Sequence, residues 1–377
     1  MSLSYWEKTI YFNDIDVAII GSGIVGLNAA LNLKKKHTDL KIVVLERGML
    51  PSGASSKNAG FACFGSASEL LSDLNNTSEN ETFSLVEKRW KGLLRLRKNL
   101  GDKAIDFHNW GGYEVFDTKK KYALCESKID YLNKHTFPII GKKNVYQNAD
   151  NKIKTFGFKN VKHMIVNTAE AQIDTGKMMR ALIDKVRKLG VEVINGFEVK
   201  SLVDDGKMVT ITAGHKETIK CKRVIIATNG FAKQLLPTYQ VEPARAQVLI
   251  TNPIKNLKLK GTFHFDNGYY YFRNINNRVL FGGGRNLDLI TEETTEFGLT
   301  QLVQNKLENL LSNMILPNTK HTIDMRWSGI MGVGPQKKSI IRATSNNIFC
   351  AVRMGGMGVA IGSLVGEEVA MMVEESL

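Results

Sequence analysis

Gly21, Gly23 and Gly26 occupy three of six consecutive positions, and Glu46 follows 20 positions after the last of them. That spacing suits a ligand with a pyrophosphate. The first glycine makes a tight turn, the second lets the backbone approach the phosphates, and the third lets a helix lie close on its strand. Ile24 and Val25 open that helix, whose amides and positive dipole end favour an anion. Glu46, with Arg47 beside it, would accept hydrogen bonds from an adenosine ribose. A second constellation lies in "GYYYFRN", 268–274. A period of two puts Tyr269, Tyr271 and Arg273 on one strand face, where a hydroxyl and a guanidinium fork would bind a carboxylate. An exposed strand with aromatic cross-strand pairs accounts for the same residues. A third is Arg353 followed by Gly355, Gly356, Met357 and Gly358, a loop before a helix whose amides would meet negative charge.

The elements that position these groups read as follows. "IDVAII" (15–20) and "KIVVLE" (41–46) are apolar, β-branched runs typical of buried parallel strands, and the segment between them has helical spacing. Strand, glycine turn, helix and strand make a βαβ unit. Residues 83–99 read as a basic amphipathic helix, and 169–202 as a turn, a helix ended at Gly190 and a strand. A strand at 223–228 leads to a turn at Asn229-Gly230 and a short helix stopped by Pro237. From 241 to 284 the alternation suggests antiparallel strands with an Asn-Asn turn, then a helix near 293–314, and last a strand, glycine loop and helix. The expected fold is mixed α/β: a Rossmann-like nucleotide domain made of 1–80, 150–235 and 325–377, interleaved with an antiparallel-sheet substrate domain of 81–149 and 236–324.

The stretch after Glu46 discriminates between dinucleotides. "RGMLPSGASSKNAGFACFGS", 47–66, is a polar, glycine-punctuated loop, not another crossover helix. Its amides and the hydroxyls of Ser55 and Ser56 suit a long, extended ligand, which favours FAD. On that reading the loop at 355–358 stabilises negative charge on the reduced flavin and raises its potential.

Four pieces of the chain, "IIGSGIVGLNAALNL…VVLERG", "GASSKNAGF", "QIDTGKMMRALIDKVRKLGVEVINGFEVKSL" with "RVIIATNG", and "NIFCAVRMGGMGVAIGSLVGEEVA", occur in this order. Together they resemble the D-amino-acid oxidase (DAO) family of FAD-dependent oxidoreductases, which includes glycine, sarcosine and D-amino-acid oxidases. The resemblance implies that Ser55, Ser56, Asn58, Ala59 and Gly60 line the flavin and that the Val199 backbone meets the adenine. It implies that Ala227, Thr228 and Gly230 pass close to the cofactor, that Tyr269 touches substrate, and that Arg353 lies near the substrate carboxylate or the flavin. Two positions depart from the family pattern. Met331 stands where glycine-oxidase-like relatives carry a carboxylate-binding arginine, leaving Lys337, Lys338 or Arg326 as substitutes. Leu280 stands where sarcosine-oxidase-like relatives carry an oxygen-activating lysine. No cysteine or histidine falls in the segments used for covalent attachment, so the expected FAD is non-covalent.

The function expected is oxidation of the C–N bond of an amine or amino acid by hydride transfer. Two alternatives share these motifs: a dehydrogenase of a 2-hydroxy acid or glycerol-phosphate-like C–O substrate, and a non-catalytic flavoprotein. The seven histidines, His108, His163 and His264 among them, are scattered and read as structural. The 43% hydrophobic and 23% charged content of these 377 residues is that of a globular protein. The net charge of +14 comes from short, dispersed lysine runs without a nucleic-acid motif, so solvated surface accounts for it. Cys63, Cys125, Cys221 and Cys350 form no metal spacing, which suits reduced thiols in a cytoplasm. The first twelve residues lack a cleavable apolar leader, and no uncharged run reaches the roughly 20 residues of a membrane span. The partners expected are thus a small-molecule substrate and an electron acceptor, either oxygen or a quinone or other carrier, with no metal.

Overall fold

The computed structural model describes residues 3–214 and 217–377. The strand Ile15–Ile20 lies at the centre of a parallel sheet, between Ile42–Glu46 and Thr218–Ile226. Glu192–Asn195 extends the sheet on one side and Ile348–Val352 on the other. Strands buried on both faces carry apolar residues at successive positions, which is why "VAII" and "IVVL" do not alternate. One face is covered by the helices Ile24–Lys36, Thr175–Lys188 and Gly358–Glu374, and the other by the antiparallel strands Val199–Asp204 and Val209–Ala213.

A second sheet of eight strands stands beside the first. Its order is Ile323–Val333, Glu242–Thr251, Arg278–Gly283, Tyr270–Ile275, Thr262–Phe265, Gly112–Phe116, His163–Asn167 and Tyr146–Asn148. All neighbours run antiparallel except Thr262–Phe265 and Gly112–Phe116. The turn Asn276-Asn277 joins two of these strands with φ of 48° and 58°, a left-handed pair that asparagine tolerates. Behind it Phe263 stacks on Phe272 at 4.8 Å, and Phe272 meets Phe281 edge-on.

Three groupings differ from the sequence expectation. The helix Glu79–Leu100 packs on the first sheet's helical layer, with Leu93 and Leu96 in the same core as Leu27 and Leu31, although it falls in the 81–149 segment. Ile323–Val333 belongs to the second sheet because it pairs along Glu242–Thr251, and His163–Asn167 lies there too. The helix expected near 293–314 begins only at Gln301 and widens into a π turn at Leu311–Ile315.

Candidate active site

The glycine turn has the geometry its spacing implies. Gly21 has φ of +106°, and a Cβ there would stand 2.8 Å from the Ala227 carbonyl oxygen. Gly26 sits where the helix Ile24–Lys36 crosses the strand, and its Cβ would lie 2.1 Å from the Gly21 oxygen. Glu46 ends the neighbouring strand and is 5% exposed. Its carboxylate accepts from the Ser22 amide at 3.2 Å, the Ser22 hydroxyl at 2.7 Å, the Gly48 amide at 3.0 Å and the Ser52 hydroxyl at 3.0 Å. Arg47 stacks its guanidinium 3.6 Å from the centre of the Phe231 ring. Ser55 accepts the Ile24 amide at 2.9 Å, tying the loop to the helix start.

From this turn a cavity of about 600 Å³ runs between the two sheets. Gly21, Gly23, Ile24, Val25, Glu46 and Arg47 line one end, and Val199, Ala227, Thr228 and Gly230 continue the wall. Ser55, Asn58, Ala59, Gly355, Gly356, Met357 and Gly358 line its middle. The far end holds Tyr269, Tyr271, Met331 and Lys337, together with Cys63, Glu69 and His264. Tyr269 is exposed, and Tyr271 packs edge-on against Phe61 at 5.7 Å. Burial pushes the Tyr271 hydroxyl up to about 12, so it stays protonated and able to donate.

Other expected site residues fall elsewhere. Arg273 shares the tyrosine face but lies deeper, 2% exposed, with Nη1 donating to the carbonyl oxygens of Ile173 at 2.6 Å and Gly60 at 3.1 Å. Its guanidinium ties the second sheet to the Ser55–Gly60 loop and is not on the cavity wall. Arg353 has φ of +66° and donates to the oxygens of Lys338 and Gln240, fastening the glycine loop from outside. Ser56 turns outward to the Pro51 and Gly53 carbonyls. Gly60 lies behind the wall and Gly26 beneath the turn. Of the substitutes for the missing arginine, Lys337 reaches the wall but pairs with Asp73 at 2.6 Å. Lys338 pairs with Glu81, and Arg326 with Glu308.

This chain has a glycine turn, a buried carboxylate 20 positions on and a long cavity between two sheets. The family model for FAD-dependent oxidoreductases, DAO, matches residues 16–372. The chain belongs to this family. It is 24% identical over 377 residues to the probable oxidoreductase OrdL of Haemophilus influenzae, covering 94% of this chain and 82% of that protein. It is 23% identical to the gamma-glutamylputrescine oxidoreductase of Escherichia coli, covering 95% and 83%. Among solved structures, glycine oxidase from Bacillus cereus superposes with a TM-score of 0.77 at 15% identity, covering 97% of this chain and 96% of that one. The DAO-family protein is therefore an enzyme of oxidation and reduction, and its two-sheet fold is the one such enzymes share. Its residues fit the cofactor: at Gly355 a Cβ would meet nothing within 4 Å, so the wall is open there, and Thr228 Oγ1 is buried on this wall without a hydrogen-bond partner among the described residues.

Three residues at the far end, Glu69, Glu170 and His264, were not singled out by sequence pattern as part of a site. Glu69 is the third residue of the helix Ala67–Asn76, and its Oε2 accepts the Ser66 amide at 3.1 Å. The Ser-x-x-Glu spacing of a helix start was the available signal. Burial acts to raise the Glu69 carboxyl, but His264, the Ser66 amide, Lys337 and Arg89 outweigh it and hold the group below its usual range. Glu170, behind His264, is raised by burial against the pull of His264 and the Gly65 and Phe64 amides.

Glu114, bonded to Ser68, is pushed by burial up to about 7. Folded, it keeps its proton to about pH 7, whereas unfolded it releases it near its ordinary 4.5. Its stabilising contribution is complete below that lower value and is lost as pH rises through about 7. Glu114→Gln is expected to remove that loss, worth about 3 kcal/mol. Urea midpoints at about pH 5 and about pH 8 check it: the wild-type protein should weaken more between them than the variant, and equal drops would refute the assignment.

Proposed function

We propose that this enzyme oxidises the C–N bond of an amine or amino acid, using non-covalently held FAD. The observation that carries the reading is a single cavity joining the Gly21–Glu46 turn to an aromatic and carboxylate-bearing end. Glu46, Val199, Ala227, Thr228 and the amides of the glycine turn would hold the adenosine and pyrophosphate. Ser55, Asn58, Ala59 and the 355–358 loop would hold the ring system, with the loop's amides favouring negative charge there. Bound FAD supplies a two-electron acceptor. The chain's own task is then to orient one C–H bond of the substrate and to keep its nitrogen unprotonated when the bond breaks. The far end is built for exclusion of water: Phe61 and Tyr271 form a layer over Ala59, Val248 and Leu280. Leu280, buried beneath this layer and off the cavity wall, stands where the family resemblance would put an oxygen-activating lysine, which leaves a quinone or other carrier beside oxygen as the final acceptor.

Anaerobic photometry of the yellow holoenzyme tests this. Rapid bleaching by members of a panel of amines, N-methyl amino acids and D-amino acids is expected, without bleaching by 2-hydroxy acids. Bleaching by hydroxy acids alone would overturn the C–N assignment.

A further inference from the structure

At the far end of the cavity, two hydrogen-bond acceptors lack donors. Glu69 has no ion-pair partner among the described residues; Oε2 is occupied by the Ser66 amide at 3.1 Å, and Oε1 receives no hydrogen bond there. A Cβ at Gly268 would stand 3.0 Å from that Oε1, so the 268 turn is kept bare directly above the carboxylate. His264 lies on the same wall, 5% exposed, and makes no hydrogen bond among the described residues. Its Nε2 is buried 3.8 Å from Glu170 Oε2, and its ring meets Phe61 edge-on at 5.2 Å. Nδ1 is the ring nitrogen not turned to that carboxylate, and in the neutral ring with its proton on Nε2 it is an acceptor.

Acceptors that face a cavity cost free energy when a ligand displaces the water there, unless that ligand supplies the donor. What these two can take together is a donor-rich group, and the Glu69 carboxylate favours one with positive charge. An ammonium or amine nitrogen is such a group; a carboxylate would be repelled by Glu69, and a hydroxyl offers one proton where two acceptors wait. Lys337, a cation on this wall, is already paired with Asp73. We propose, on the C–N reading above, that Glu69 and His264 bind the reacting nitrogen of the substrate. Glu69 takes the ammonium on entry through a charge-assisted hydrogen bond, and His264 accepts a second N–H. The selectivity of the enzyme for amines over hydroxy acids then resides in these two side chains.

The test uses holoenzyme and tert-butylamine, which has no hydrogen on the carbon bearing nitrogen and so binds without being oxidised. Its titration against the flavin absorption spectrum reads affinity apart from turnover. Glu69→Gln is expected to keep its flavin, to weaken tert-butylamine binding by about tenfold or more, and to raise KM for the amine that bleaches the wild type by a similar factor. The limiting bleaching rate should change less. Wild-type affinity and KM in Glu69→Gln, or no tert-butylamine binding to the wild type, would overturn the proposal. If Glu69→Gln loses its flavin, the same measurements are read on Glu69→Asp and His264→Asn, and unchanged amine affinity in both overturns it. Bleaching of the wild type by hydroxy acids and by no amine or amino acid is a separate result, which removes the C–N reading itself.

Discussion

Gly26→Ala is expected to yield a protein that melts several degrees lower and leaves gel filtration with little flavin. The added Cβ would stand 2.1 Å from the Gly21 carbonyl oxygen and 3.1 Å from Ile19 Cγ2. Neither neighbour can yield easily. Gly21 is held by its amide bond to Leu45 O at 2.8 Å, and Ile19 sits between two strands. The helix must move off the sheet instead, opening a layer that includes Leu27, Leu31 and Val365. Overpacking of this kind costs about 3 kcal/mol or more, because no side-chain rotation relieves it. The same shift displaces the helix N-terminus from the turn, so cofactor retention falls with stability. Gly53→Ala is the control, since a Cβ there meets nothing within 4 Å. A Gly26→Ala protein with wild-type melting temperature and flavin content would refute the close-packing account.

Arg273→Met should cost about 2–4 kcal/mol while leaving KM for the bleaching amine within about threefold. Burial lowers the Arg273 guanidinium to about 10, with Asp174 and Asp106 opposing that shift, so it is charged at neutral pH and needs its partners. Its Nη1 holds the Ile173 and Gly60 carbonyl oxygens. Methionine fills most of the volume but leaves the Ile173 oxygen without that donor. Lysine, a point charge on a flexible stem, should not restore the loss. Thermal melting separates this tie from a substrate anchor: unchanged stability with a large rise in KM would restore the carboxylate-binding role.

The parts of the fold legible in the sequence are those in which local geometry and burial agree. "IDVAII" and "IVVLE" have to be central strands because both faces are covered, and Gly21 and Gly26 admit no side chain. The Asn276-Asn277 turn followed from its residue types in the same way. Alternation placed Tyr269, Tyr271 and Arg273 on one face, but it says nothing of depth along the strand. There the cavity ends at Tyr271, and Arg273 runs on beneath Gly60. Glu69, His264 and Lys337 come from a helix, a strand and a loop far apart in the chain, so no spacing rule joins them. The helix Glu79–Leu100 and the strand Ile323–Val333 depart from their expected groupings for a related reason: a boundary drawn at a composition change does not reveal which sheet or layer a segment joins.

The central strand Ile15–Ile20 takes one of its neighbours, Thr218–Ile226, from a segment made long after it, and the helix Gly358–Glu374 that seals its layer is made later still. Ribosomes deliver chains from the amino end. The glycine turn gains its first partner strand, Ile42–Glu46, early, but the walls that Ala227 and Gly358 supply must wait until those segments are made. Loading with flavin is in this sense an act of maturation, one that reports on arrival of the helix Gly358–Glu374.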